Sequence, residues 1–247
     1  MSPRDIRGYV LRALERSDMR FGESYFVRSM ATELQCPPRQ VMETLWGLVG
    51  EGLVYLDTAG QGSGTSNWLW QLSSAGKSAV RGGSWEPRDV EGYLGRLRAH
   101  RPPVDDVAIR YVEEALRAFN ARCYLASSVM LGVASERVVN ELGHTLADLL
   151  GVKATKLSKL LFSSTSRMAA QFDETRKLLI QMDLPDGLTD TLTLDAVADL
   201  LRISRNNAGH PTGAAVDEDT AYTHLQMAAR YLQKMTTLNA HLKQAPR

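Results

Sequence analysis

An arginine, two carboxamides and a histidine fall within the six residues Arg205-Asn206-Asn207-Ala208-Gly209-His210, and Pro211 follows them. A guanidinium holds a phosphate through several donors in a fixed fork. An imidazole moves protons near neutral pH, and a carboxamide fixes either partner by hydrogen bonding. The set suits phosphodiester chemistry and needs no metal ion. The same residues also suit a polar helix end. A cation and an Asn near a helix C-terminus are favourable without further function, and His210 is then a solvated loop residue.

The elements that must position this set are helical. From about residue 104 onward the apolar spacing predicts helices near 104–119, 121–143, 154–182, 190–206 and 217–242. Turn signals stand at 143–151, 183–187 and 211–213. The helix over 121–143 is rich in small residues, including Ala126, Ser127, Ser128, Gly132, Ala134 and Ser135. Small side chains let a neighbouring helix approach closely. Glu136 shares a helical face with Gly132, Val133, Val139 and Asn140. An acid in such a stripe requires a partner or a shifted pKa, and Arg202, Arg205 and His210 are its candidate partners. Lys153, Lys156 and Lys159 recur every third residue as a basic stripe. The stripe fits a phosphate track and equally a solvated face. Ser163 to Ser166 mark a kink or break in that helix. His144, His224 and His241 are expected at the surface, and His100 carries no assigned role.

The first third of the chain reads differently. Helices are expected over 4–16, 23–34 and 38–50, with Tyr25, Phe26, Met30, Ala31 and Leu34 facing inward from the second and Val41, Leu45, Leu48 and Val49 from the third. Pro38 starts the third, where its missing N–H is tolerated, and Gly50-Glu51-Gly52 stops it. Leu53–Leu56 and Trp68–Leu72 read as short strands around a Gly/Ser loop at 60–66. Three helices followed by a hairpin resemble a winged helix-turn-helix domain over about residues 4–80. The resemblance implies a third helix that exposes Arg39, Gln40, Glu43 and Thr44. Arg39 and Gln40 have the donors to read base edges. Residues 1–83 nonetheless carry nine basic against eight acidic side chains, and the wing loop has no Lys or Arg. Phosphate neutralisation supplies much of DNA affinity, so a module for protein interaction or dimer packing is the better reading than DNA binding.

The totals bound the remaining possibilities. The chain has 247 residues, 44% hydrophobic and 23% charged, with a formal net charge of +1. These values describe a globular protein of one or two domains that is not basic as a whole, so any nucleic-acid contact is a local patch. Cys36 and Cys123 are far apart and no metal-ligand spacing exists; no metal and no cofactor are expected. The N-terminus has no signal-peptide core, and no apolar run approaches about 18 residues. A cytoplasmic protein without membrane contact is expected. Three regions follow: 1–83 as the winged helix, 84–103 as a linker with a short helix, and 104–247 as a helical domain.

Arg205, Asn206 and His210, with four residues between Arg and His, resemble the hallmark of the HEPN superfamily, an Arg and a polar residue followed by a short spacer and a His. The segment 121–136 is similar to the first long helix of one helical subgroup, in which an acid stands where Glu136 is. The resemblance spans about residues 104–240. It implies a mainly α fold, a HEPN-like helical bundle behind the winged helix, and a metal-independent endoribonuclease or a non-catalytic RNA-binding relative. It further implies RNA as the partner, a homodimer in which two motifs share a cleft, and a place in an antiviral-defence or toxin–antitoxin system with an antitoxin or defence partner. On this reading His210 is general base or acid, Arg205 contacts the scissile phosphate, Asn206 orients either, and Glu136 holds Arg205 or tunes His210. The alternative is a DNA-binding regulator whose helical domain only dimerises.

Overall fold

The computed structural model describes residues 3–16, 23–59, 68–81, 85–163, 167–185, 187–188 and 216–245. The described chain is mainly helical, with one two-stranded sheet among the described residues. It divides into two compact units, Met1–Gly92 and Tyr93–Arg247.

In the first unit, α1 (Pro3–Arg16), α2 (Glu23–Glu33) and α3 (Pro38–Gly50) precede β1 (Val54–Asp57), β2 (Leu69–Leu72) and α4 (Ser74–Val80). Pro38 opens α3 after an extended Pro37. The helix ends with the Gly52 N–H on the Val49 carbonyl and the Leu53 N–H on the Leu48 carbonyl, both at 2.9 Å. Gly52 takes φ +70°, the left-handed turn this termination requires. The exit points straight into β1, which pairs antiparallel with β2 in the register Val54↔Leu72 and Leu56↔Trp70. Val54, Trp70 and Leu72 face the core beside Ile6, Val10, Phe26 and Leu45. Tyr25, expected inward, is 63% exposed, and Val27 takes its place in the core. Tyr25 lies one residue off the face set by Phe26, Met30 and Leu34, and a 100° step turns it outward.

The stretch 85–92, expected within a linker, belongs to the first unit. Arg7 Nη2 donates to Glu51 Oε2 at 2.7 Å and to Asp89 Oδ1 at 2.8 Å. Asp89 Oδ1 also accepts from the Gly92 N–H at 3.1 Å, at the start of α5 (Val90–Ala99). One guanidinium thus serves two carboxylates. Burial pushes the Glu51 carboxyl upward, Arg7 opposes the shift, and neighbouring Asp89 adds to it.

The second unit begins inside α5 and holds α6 (Asp106–Asn120), α7 (Tyr124–Leu150), a 3-10 turn (Gly151–Ala154), α8 (Thr155–Leu161), α9 (Met168–Ile180) and α10 (Glu218–Gln244). Asp105 caps α6 by accepting the Ala108 N–H at 2.9 Å, and Asp217 caps α10 through Thr220 N–H at 2.8 Å. Both α6 and α10 pack against α7. Of the turn signals expected over 143–151, Gly151 ends α7 with φ +53°, whereas Gly143 lies inside the helix, which continues to Leu150. Gly143 is instead a close-packing position: a Cβ there would meet Leu161 Cδ2 at 3.2 Å and Thr175 Oγ1 at 3.5 Å. The helix expected over 154–182 is divided: α8 ends at Leu161 and α9 begins at Met168.

Candidate nucleic-acid interface

Arg205, Asn206 and His210 lie outside the described residues, as do Arg202 and the loop at 60–66. What is described is the frame around the motif in sequence. The buried face of α7 includes Ser127, Ser128, Leu131, Gly132, Ala134 and Ser135, so the small-residue stripe is the packed face. Glu136 is half-buried beside Gly132 and Val139, which are buried. The first turns of α7 and α10 meet where Tyr124 Oη donates to Glu218 Oε2 at 2.9 Å. Glu218 opens α10 eight residues after His210.

Polar groups inside the α7–α10 seam have specific partners. Ser135 Oγ bonds the Tyr231 hydroxyl and donates to the Leu131 carbonyl. His224, expected at the surface, is only 8% exposed, and its Nδ1 lies 3.3 Å from Ser128 Oγ. Burial holds its pKa below the usual imidazole value, which favours the neutral ring. Sequence pattern hides His224 because its own residue type is polar and suits an exposed position as well as a buried one. The one available signal is its helical spacing from buried Ala221, Ala228 and Tyr231. His100, assigned no role, reaches Thr237 Oγ1 through Nε2 at 3.1 Å.

Lys153, Lys156 and Lys159 are all exposed but do not form one uniform stripe. Lys153 lies in the 3-10 turn, whereas Lys156 and Lys159 belong to α8. Three residues along an α-helix leave about a 60° rotation between neighbours. Lys156 Nζ contacts Glu174 Oε2 at 2.5 Å and ties α8 to α9. Because Glu174 is buried, that lysine balances a carboxylate the fold has withdrawn from water. Lys153 and Lys159 make no ion pair among the described residues. Phe162, at the end of α8, is 81% exposed and packs on His144 with ring centroids 5.6 Å apart. His144 is half-buried within α7.

In the first unit, Arg39 and Gln40 are exposed on α3. Arg39 Nε is held by Glu43 Oε1 at 2.7 Å, one turn along the helix. Gln40, Glu43, Thr44 and Gly47 line a shallow groove of about 410 Å³ with Arg7 and Glu51. The groove therefore offers two carboxylates alongside its one guanidinium. Compared with known protein families, curated proteins and solved structures, the chain matches none. No described helix is long and apolar enough to cross a membrane.

Proposed function

We propose that the chain is a metal-independent endoribonuclease of HEPN type, a cytoplasmic effector of antiviral defence or a toxin, with a winged-helix accessory module. The reading is carried by the succession of the Arg205–His210 motif and α10, a helix that packs against the small-residue face of α7. In the proposed dimer one His210 takes the proton from the ribose 2′-hydroxyl. Its counterpart in the second copy protonates the departing 5′-oxygen, and Arg205 stabilises the charge on the phosphorane. Asn206 orients the imidazole or the phosphate, and Glu136 holds Arg205 or tunes His210. The products are a 2′,3′-cyclic phosphate and a 5′-hydroxyl end.

The test is cleavage of RNA by the purified chain in excess chelator, with end-group analysis of the fragments. His210→Ala is expected to lower the rate by about 100-fold or more, the scale of general acid–base catalysis. Unchanged cleavage by that variant would overturn the assignment. A second reading, a winged-helix DNA-binding regulator, draws on the order of three helices and a hairpin. The Arg39–Glu43 pair opposes it by placing an acid on the presented face. A duplex-DNA gel shift lost in Arg39→Ala and Gln40→Ala would favour it.

A further inference from the structure

The junction of α8 and α9 combines an exposed aromatic ring with exposed cations. Phe162 follows the last turn of α8, and Lys159 precedes it by three residues, on an adjoining face. The start of α9 is brought to the same place, because Gln171 Nε2 donates to the Leu160 carbonyl at 3.1 Å. Arg167, exposed at the N-cap of α9, stands one turn before Gln171. Neither Lys159 nor Arg167 makes an ion pair among the described residues. The acids on the surrounding elements are otherwise placed. Glu174 is occupied by Lys156, Asp148 lines a separate pocket with Lys243, and Asp173 lies further along α9.

The ring itself is positioned rather than loose. Phe162 and His144 meet at an interplanar angle of 70°, an edge-type contact. That contact limits the ring's freedom while leaving 81% of the residue in water, so a planar ligand would lose less entropy on stacking there. The patch is not an extended apolar face. Leu160 and Leu161 are half-buried, and the other exposed apolar side chains of these elements, Val152 and Ile180, stand before the start of α8 and at the far end of α9. A lone aromatic face among cations matches the way single-stranded nucleic acid is held, bases on rings and phosphates on Lys and Arg.

We propose that the α8–α9 junction holds single-stranded RNA, with Phe162 as a base-stacking surface and Lys159 and Arg167 as phosphate contacts. The proposal rests on reading the chain as an RNA-acting protein, and it assigns the substrate as unpaired rather than duplex. His144 acts as a positioning residue for the ring.

The test is binding of a short fluorescent oligouridine, and of an RNA duplex of equal length, to the full chain carrying His210→Ala so that cleavage does not intervene. Phe162→Leu is expected to weaken oligouridine binding about tenfold, and Phe162→Trp to restore it. Lys159→Ala is expected to reduce the salt dependence of log K by about 0.7, the value for one phosphate contact on a single strand. Oligouridine affinity unchanged in Phe162→Leu overturns the proposal, as does tighter binding of the duplex or no RNA binding. So does Phe162-dependent binding to phosphatidylserine vesicles without Phe162-dependent RNA binding. Phe162-dependent binding without cleavage by the unmodified chain sinks the nuclease reading alone. Cleavage that needs His210 but ignores Phe162 in both rate and binding sinks the platform alone.

Discussion

Asp105 closes the first turn of α6 and holds Arg137 with both carboxylate oxygens, at 3.1 and 3.2 Å. Desolvation would raise its pKa, but the hydrogen bonds from Arg137 and the Ala108 N–H outweigh it and hold the carboxyl below its usual value. A carboxylate with a depressed folded-state pKa stabilises the fold above its unfolded pKa of about 3.9 and loses that contribution as pH falls through the folded value. Asp105→Ala is expected to cost about 1–2 kcal/mol at neutral pH, measured by urea unfolding. His224 behaves in the opposite chemical sense with the same pH trend. Its folded-state pKa is lowered by burial, so below about 6.5 the unfolded chain binds the proton more readily. Stability is expected to fall on acidification from that point, and His224→Gln is expected to flatten the slope. An unchanged pH profile in the variant would remove His224 as its source. Lys156→Ala is expected to lower stability by about 1 kcal/mol, because it leaves Glu174 buried without this partner. The capping role of Asp105 was not read from the sequence, which placed it inside a helix over 104–119. Nor was the partnership of Lys156, since Glu174 lies eighteen residues away.

Helix ends show where element boundaries escape the sequence. The left-handed termination of α3 uses Gly52, a visible signal. The ends of α2 and α6 use the same bonding with Gln35 at φ 50° and Arg122 at φ 60°. After α6, the Cys123 N–H reaches the Ala118 carbonyl at 2.8 Å and the Arg122 N–H the Phe119 carbonyl at 2.9 Å. A left-handed non-glycine residue costs about 1–2 kcal/mol, part of which glycine gives back through its more flexible unfolded chain. Arg122→Gly is therefore expected to stabilise the second unit by about 0.5 kcal/mol, read from the shift of the urea midpoint at constant m. Gly76 of α4 illustrates the reverse. A Cβ there would overlap the Leu53 carbonyl oxygen, which is backbone and cannot swing aside. Gly76→Ala is expected to destabilise the first unit by about 1–3 kcal/mol; wild-type stability would show that α4 does not approach β1 so closely. Gly143 looked like a helix stop and serves as a contact point, because glycine marks backbone proximity as readily as it marks a turn.

At the scale of the molecule, the proposed chemistry needs two copies, since one His210 does not readily serve as acid and base in the same step. Sedimentation is expected to show a dimer, and RNase activity per chain is expected to fall on dilution below its dissociation constant. A monomer whose activity per chain is independent of concentration would end the two-motif scheme. The unit boundary at Gly92 lies within α5, inside the stretch 84–103 expected as a linker. Arg7 explains part of the difference: its bonds to Glu51 and Asp89 bring residues distant in sequence together in one unit. The amino-acid sequence by itself determined the mainly helical class, most element positions, the stop of α3 at Gly50-Glu51-Gly52, and the motif that motivates the nuclease reading. These depend on local spacing and on single residue types. Only the tertiary structure decided that His224 is buried, that Lys156 answers Glu174, and that Phe162 stands exposed against His144 beside Lys159. Those outcomes depend on which helices meet and at what angle, and no local periodicity encodes the partner across a packed seam.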